Sequence, residues 1–326
     1  MADRQNHGGG RRRPRARVLI ALAAGAALAA LSGAAVAQRG GDDRGGNEPS
    51  ERERQGLADL ASEIDGAIVY GRRGRILKVV LGEWKTTDLG EGEYARWSRD
   101  GKQIAVWHDD TVSVMNADGT GRRELVRRAA KEEDGCPIEF HPSGREIVYG
   151  KRGDGLWSVN VGSGATRKLG LPDDYTGEPC FSADGKRLAA RVDNDLYAVD
   201  LTAGTHRKFA RGCSPNVSPD GARLLNNTGG HRELVIRNWD GSDQKRINTR
   251  TMRPDREWDD HHWSNHADYL TTNGEGSREE AYVVTIPANR VTRVSWGGRS
   301  QFPDLFVARA KKAAAASESA PTESSR

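Results

Sequence analysis

Residues 97–125, WSRDGKQIAVWHDDTVSVMNADGTGRREL, form the stretch that decides the fold. Asp100 and Gly101 predict a tight turn there, because an aspartate carboxylate accepts hydrogen bonds from nearby backbone N–H groups and glycine adopts positive φ at little steric cost. Residues 104–107 are apolar and predict a buried strand, and residues 111–115 alternate apolar and polar side chains with the period of a strand. A second Asp-Gly turn leads to a short polar segment, so the stretch predicts four antiparallel strands.

This unit returns four times along the chain, with the first turn following Phe140, Phe181, Val217 and Trp263. The last copy lacks the Asp-Gly pair of that turn. Trp97 and Trp263 are 166 residues apart over four steps, which gives a mean spacing of 41.5 residues. A spacing of about 40–45 residues is typical of one four-stranded propeller blade. The repeats therefore predict an all-β chain of propeller blades.

The repeated pattern is W/F-S-x-D-G-K/R-x-I/L-A, followed by an alternating strand and Asp-Gly. It resembles the WD40-like (PD40) repeat of TolB-type β-propellers. The resemblance covers roughly residues 67–308, and the GH…WD signature of true WD40 repeats is missing. It implies a propeller fold but no single activity, because such repeats occur in partner-binding proteins, in the gating domains of peptidases and in other exported proteins.

The two ends of the repeat region are expected to form one composite blade. Residues 66–89 resemble a blade without its first strand, and residues 302–307 form an extra apolar segment after the last repeat. An open ring would leave two unpaired strand edges. We therefore expect residues 302–307 to pair with residues 67–70. With five full repeats, this predicts a six-bladed β-propeller of four-stranded antiparallel blades over residues 66–309.

The N-terminal region predicts export. Residues 11–17 are rich in arginine, residues 18–31 are apolar, and Ala35 and Ala37 suit a signal-peptidase site. Residues 1–37 are therefore interpreted as a cleavable secretory signal, with an uncleaved anchor as the alternative. We expect a periplasmic or secreted protein that has no membrane span after cleavage.

Two further segments flank the expected propeller. Residues 38–65 are interpreted as a polar linker with a short helix at residues 56–64, and residues 310–326 as a disordered tail of low complexity. The chain has 50 basic and 46 acidic residues, and the signal accounts for six arginines and one aspartate. The remaining 44 basic and 45 acidic residues nearly cancel, so a nucleic-acid partner is not expected.

The first strand of each blade is expected to line the central channel, where propellers bind ligands. We call the aromatic residue or valine that precedes the first turn of each repeat the anchor of its blade. The residue before each anchor should face the channel, although a shift of one residue would reverse the assignment. The channel-facing candidates are Arg96, Glu139, Cys180, Asn216 and His262, with Leu305 in the closing strand. Such a ring either binds a polar ligand or peptide or only hydrates the channel. Glu139 is the single carboxylate among them, which argues against acid–base chemistry that needs two.

A metal centre and catalytic residues are not expected. Asp260, His262 and His266 belong to the densest cluster of metal-ligating side chains, but neighbouring strand residues point to opposite faces, so structural histidines are the favoured interpretation. The motifs G-x-S-x-G, Walker A, G-x-G-x-x-G and H-E-x-x-H are missing from the sequence. Cys136, Cys180 and Cys213 contain no C-x-x-C pair, and we expect buried or free thiols.

A loop before the last repeat contains Arg253, Arg256 and Trp258, which could contact an acidic or sugar partner or form a solvated connection. Taken together, the sequence favours an exported, monomeric, non-catalytic binding or scaffold propeller without a cofactor. Its expected partner is a protein or polysaccharide of the cell envelope. The alternative is a channel-sited enzyme of the lactonase or sugar lyase or hydrolase type, with or without a metal.

Overall fold

A computed structural model describes residues 48–127, 138–151, 154–171, 177–228, 230–248, 257–275 and 279–311. The expected signal at residues 1–37 and residues 312–326 of the expected tail lie outside these described residues, whereas Ala310, expected as the first residue of the tail, belongs to the last strand. None of the helices in these ranges is long and apolar enough to cross a membrane.

The described chain contains one helix and 24 strands. The helix is α1 (Glu51–Glu63), and the strands are β1 (Ile64–Arg72), β2 (Arg75–Val80), β3 (Thr86–Glu91), β4 (Tyr94–Trp97), β5 (Gln103–His108), β6 (Thr111–Asn116), β7 (Arg123–Arg127), β8 (Ile138–Phe140), β9 (Glu146–Lys151), β10 (Gly155–Asn160), β11 (Thr166–Lys168), β12 (Gly177–Phe181), β13 (Arg187–Val192), β14 (Asp195–Asp200), β15 (Thr205–Arg211), β16 (Cys213–Val217), β17 (Arg223–Asn227), β18 (Glu233–Asn238), β19 (Lys245–Asn248), β20 (Glu257–Trp263), β21 (Tyr269–Glu275), β22 (Ala281–Thr285), β23 (Arg290–Arg293) and β24 (Ser300–Ala310).

The strands form six antiparallel sheets of four strands each, and these are the six blades of a propeller. Blade 1 has the order β24-β1-β2-β3, and blades 2 to 6 each use four consecutive strands from β4 to β23. The predicted six-bladed β-propeller is confirmed. The strands nearest the channel are the first strands of the six blades, namely β24, β4, β8, β12, β16 and β20, which contact one another between neighbouring blades.

The turn between the first and second strands of a blade, which we call the A–B turn, explains why the Ser-x-Asp-Gly pattern recurs. In blade 2 the Ser98 hydroxyl donates to Asp100 Oδ1 at 2.8 Å and accepts from the backbone N–H of Gln103 at 2.9 Å. Gly101 adopts φ 70°, which glycine tolerates without strain. The same serine–aspartate pair closes the turns of blades 4 and 5.

The predicted closure of the ring is also confirmed, because β24 pairs antiparallel with β1. The register places Leu305 opposite Ile68, just as Trp97 lies opposite Ile104 in blade 2. Leu305 is therefore the buried anchor of blade 1, and its expected place facing the channel is wrong by one residue. Asp304 takes that position, because the leucine rather than Phe306 packs in the core beside Ile68.

Helix α1 begins at Glu51, five residues before the expected start of a helix in the linker. Ser50 and Glu53 form a capping box, in which each side chain accepts a hydrogen bond from the other residue's backbone N–H. Leu57 and Leu60 are buried in the core cluster that also contains β1 and β24. Glu63 pairs with Arg290 of β23, so the helix is anchored to blade 6 as well.

Candidate functional site

The channel contains charged side chains that pair with one another. Arg96 Nε lies 3.6 Å from Glu139 Oε2, and His262 Nε2 lies 3.0 Å from the same oxygen. The other ring nitrogen of His262, Nδ1, lies 3.0 Å from Asp304 Oδ1. We call Arg96, Glu139, His262 and Asp304 the central charge layer. The structure thus brings three of the sequence candidates together and adds Asp304.

The remaining two candidates form a neutral pair in the same layer. The Cys180 thiol donates to Asn216 Oδ1 at 3.2 Å, and Asn216 bridges to blade 6 by donating to the carbonyl oxygen of His261 at 2.8 Å. The backbone N–H of Trp263 donates to Asn216 Oδ1 at 3.0 Å. These contacts tie blades 4, 5 and 6 together. Cys180 is a free thiol, as is Cys213, whereas Cys136 lies outside the described residues.

The charges of the central charge layer stabilise each other. Burial and Arg96 oppose the charged form of His262, but the carboxylates of Asp304 and Glu139 outweigh them and raise its pKa well above the usual value. Burial opposes the charge on Asp304, yet His262, Arg96 and the backbone N–H of Trp97 lower its pKa. His262 therefore stays an imidazolium and Asp304 a carboxylate at neutral pH. Two positive and two negative groups cancel inside the channel.

A cavity opens on the side of the ring that carries the A–B turns. It encloses about 530 Å³, including open solvent, and we call it the turn-face mouth. Its floor is formed by the side chains of Glu139, His262 and Asp304. It is also lined by the half-buried rings of Phe181 and Phe306 and by Trp97, Phe140 and Trp263, which are only 8%, 3% and 3% exposed, and Arg99 and Pro142 lie at the rim.

A second cavity, of about 310 Å³ including open solvent, lies on the other side of the central charge layer. It is lined by the residues three places before the anchors of four blades, namely Glu178, Ser214, Asp260 and Phe302. Each of these four residues has φ between 51° and 52°, and the ladder shifts register beside each of them. A left-handed backbone at a non-glycine residue costs about 1–3 kcal/mol. Sequence reasoning missed this bulged layer, because nothing in local propensity marks it.

Two carboxyl groups of the second cavity have raised pKa values. Burial raises the pKa of Glu178 to about 7, although Arg191 opposes the shift from 3.4 Å. Burial and the neighbouring charges of Asp259 and Glu178 raise the pKa of Asp260 well above its usual value. Perturbed carboxyl groups of this kind are common in functional sites but also occur in structural networks.

The structure does not bring Asp260, His262 and His266 together as metal ligands. Both ring nitrogens of His262 contact carboxylates, as described above, and His266 Nδ1 accepts from the backbone N–H of Asp268 at 3.3 Å. Burial lowers the pKa of His261 to about 3, so this neighbour is neutral. Within the described residues, the groups with metal-ligand geometry are Cys213–His231–Asp259 and Glu93–His108–Asp109.

Trp258 does not belong to an exposed loop, and its expected contact role is wrong. Strand β20 begins at Glu257, so the indole enters the core between blades 5 and 6 and is 0% exposed. It packs edge-on against Tyr282 with ring centroids 4.5 Å apart. Arg253 and Arg256 lie outside the described residues.

These features define the described residues as a six-bladed β-propeller with a layer of paired charges in its channel and a cavity on each side of that layer. No protein-family model matches it. Among solved structures it is similar to TolB from Acinetobacter baumannii, with 14% identity and a TM-score of 0.59 over 74% of this chain and 66% of that one. It is also similar to a putative TolB from Agrobacterium tumefaciens, with 16% identity and a TM-score of 0.54 over 74% of this chain and 91% of that one.

A third similar structure is an oligogalacturonate lyase in complex with manganese, with 14% identity and a TM-score of 0.44 over 69% of this chain and 71% of that one. The chain spans less than two thirds of the Acinetobacter protein. At these identities the likeness shows the fold alone. The resemblance to TolB-type propellers is thus supported at the level of architecture.

Proposed function

We propose that this protein is a non-catalytic binding propeller of the cell envelope that receives a protein partner at the turn-face mouth. The observation that carries the proposal is the central charge layer. Its four charged groups are satisfied by one another, so the floor of the mouth has no group held ready as a free acid, base or nucleophile. A recessed surface with a neutralised floor suits recognition.

Two further observations support the proposal. The propellers with the higher TM-scores among those compared are TolB proteins, and the N-terminal residues have the charge and apolar pattern of a secretory signal. The half-buried rings of Phe181 and Phe306 can pack against apolar side chains of a protein segment and also against the faces of sugar rings. A polysaccharide partner is therefore an alternative outcome of the same experiment.

Site-specific photocrosslinking tests the position of the partner surface. Arg99 is exposed at the rim of the mouth and can be replaced by a photoreactive phenylalanine analogue in the full chain. The matched control carries the analogue at Lys208, which is exposed on the outer strand β15. Both variants are irradiated in the native envelope fraction, and adducts are identified by mass spectrometry.

We expect a discrete protein adduct from position 99 and none from position 208. Adducts of the same identity and yield from both positions, or from position 208 alone, would contradict the proposal. A diffuse adduct that resists protease but not glycosidases would replace the protein partner by a polysaccharide. Fractionation of the same cells checks export, because a chain found only in the cytoplasm would exclude an envelope role.

The second candidate function is a channel-sited enzyme acting on a sugar or lactone. The raised pKa of Glu178 favours it, because a carboxyl group with a pKa of about 7 can donate a proton at neutral pH. Turnover of any member of a panel of lactones and oligosaccharides should then be lost in Glu178→Gln and kept in Glu233→Gln, which changes an exposed outer ion pair. Equal turnover by the two variants would exclude Glu178 as the acid.

A further inference from the structure

A second cluster of reactive side chains lies between blades 5 and 6, on the face opposite the A–B turns. Cys213 begins β16, Asp259 lies near the start of β20, and His231 lies in the connection from β17 to β18. These positions fall on one face because the first strand of a blade starts where the second strand ends. The cluster is separate from the central charge layer and has no part in the proposed function.

The distances within the cluster match the spacing of ligands around a zinc ion. Cys213 Sγ lies 3.2 Å from His231 Nε2 and 3.6 Å from Asp259 Oδ1. Tetrahedral zinc, with bonds of about 2.3 Å to sulfur and about 2.0 Å to nitrogen or oxygen, separates such ligand atoms by about 3.5 Å. One ligand atom of each of the three residues lies within 4.8 Å of the others, and the contact of His231 with Asp259 joins Nδ1 to Oδ2 at 3.8 Å. Binding of the ion by Nε2 therefore requires a side-chain adjustment that brings Asp259 closer to that nitrogen.

The surrounding residues orient these ligands. His231 Nδ1 lies 2.5 Å from Glu275 Oε2, which directs the other ring nitrogen, Nε2, toward the thiol. A histidine held by a carboxylate in this way is the usual arrangement of a metal-binding imidazole. Asp259 Oδ1 accepts from the Ser214 hydroxyl and from Asn227 Nδ2, at 3.1 Å in both cases. The backbone of His231 has φ 52°, so the imidazole is held in place at some conformational cost.

The order Cys213, His231, Glu275 also matches a nucleophile, a base and the group that orients the base. The electrostatics of the sulfur argue against that use. Burial and the carboxylates of Asp259 and Glu178 raise the pKa of the Cys213 thiol, which disfavours a free thiolate. A divalent cation placed between the sulfur and Asp259 would reverse this repulsion, because both negative groups would then bind it.

We propose that Cys213, His231 and Asp259 bind one Zn²⁺ ion, with Glu275 as the residue that positions His231. Thiolate, imidazole and carboxylate together are a ligand set that zinc accepts, whereas Mg²⁺ and Ca²⁺ prefer oxygen ligands alone. The side chains of His231 and Asp259 are 27% and 23% exposed, so the ion can enter from solvent. Three protein ligands leave the fourth position of a tetrahedral zinc ion to water or to another ligand.

The full chain, stripped of metal with a chelator and then desalted, tests the proposal. Zn²⁺ binding is measured by competition with a chromophoric chelator, and Co²⁺ is used as a spectroscopic probe of the same site. Cys213→Ser removes the proposed sulfur ligand, and Cys180→Ser is the matched control because that thiol lies in the channel beside Asn216. Glu275→Gln tests the positioning of His231. Circular dichroism and thermal unfolding confirm that each variant is folded.

We expect one Zn²⁺ per chain for the unmodified protein and for Cys180→Ser, and a thiolate-to-Co²⁺ charge-transfer band in both. Cys213→Ser should lose that band and weaken Zn²⁺ binding at least 100-fold, and Glu275→Gln should weaken it about 10–100-fold. Binding of unchanged stoichiometry and affinity in Cys213→Ser, or no Co²⁺ band in the unmodified protein, would overturn the proposal. Rapid alkylation of Cys213 at neutral pH without metal binding would overturn it in favour of a nucleophilic thiol.

Discussion

Replacing His262 by glutamine removes the cation that bridges two carboxylates in the middle of the channel. The imidazolium contacts Glu139 and Asp304 at 3.0 Å each, and all three side chains are at most 12% exposed. Glutamine has a similar length and can still donate one hydrogen bond. The substitution therefore tests the charge on residue 262 more than its volume.

The expected loss of stability follows from the burial of these groups. Removing one partner of a buried ion pair costs about 3–5 kcal/mol, because the other charge is left without compensation. Arg96 stays beside Glu139 and offsets part of that penalty. We therefore expect His262→Gln to lower the free energy of unfolding by about 3 kcal/mol near pH 6.

The size of this effect should depend on pH in a defined direction. The pKa of His262 is raised in the folded protein, so the stability it contributes is complete below the unfolded value of about 6.5 and is lost as the pH rises through the folded pKa. The pKa of Asp304 is lowered, so its contribution is present above about pH 3.9 and is lost as the pH falls through the folded pKa. The difference between the two proteins should be largest between about pH 4 and 6.5 and should shrink above that range.

Urea unfolding followed by tryptophan fluorescence at about pH 5.5 and about pH 8.5 measures this difference. His206→Gln is the matched control, because His206 is exposed on the outer strand β15, and it should change stability by no more than about 0.5 kcal/mol at either pH. A loss below about 1 kcal/mol for His262→Gln, or a loss that grows with pH, would refute the charge pairing described for the channel.

Two further predictions concern packing. Trp258→Ala should lower the free energy of unfolding by about 3–5 kcal/mol, because it empties a fully buried site. The control Leu201→Ala, on the surface, should change it by about 0.5 kcal/mol at most. Similar small losses for both variants in urea titrations would show that Trp258 is not in the core. Gly71→Ala should lower the free energy of unfolding by about 1–3 kcal/mol, because the added Cβ overlaps the carbonyl oxygen of Glu93. The control Gly170→Ala places its Cβ in open space and should be nearly neutral. Equal melting temperatures of the two variants would contradict the close approach at Gly71.

The blades could be predicted from the sequence because their signal is local and repeated. The Ser-x-Asp-Gly turn makes its hydrogen bonds within five residues, so each copy identifies a blade without knowledge of the others. The spacing of the copies then gave the number of full blades. Because the residue before each blade's anchor faces the channel, the sequence also predicts that Arg96, Glu139 and His262 face it. The sequence does not show that these three side chains pair with one another.

The errors arose where long-range packing decides the conformation. Strand β24 has no turn of the repeat type to fix its register, so the sequence predicts Leu305 at the channel-facing position and does not single out Asp304. The bulges at Glu178 and Asp260 require positive φ at residues that rarely adopt it, and they are held by neighbouring blades. The contact of Cys213 with His231 joins two segments of blade 5 whose approach the sequence does not reveal.

Strand β24 completes the ring of blades, and through Asp304 it also completes the floor of the turn-face mouth. Deleting residues 301–326 tests this role of β24 most directly, with deletion of residues 312–326 as the control that leaves β24 intact. Hydrogen exchange of the amides in β1 is compared with the urea unfolding curve of each protein. We predict one cooperative transition and slow exchange of β1 for the full chain and for the control, and fast exchange without cooperative unfolding for the longer deletion. A longer deletion that unfolds cooperatively at the same urea concentration, with β1 still protected, would contradict the account.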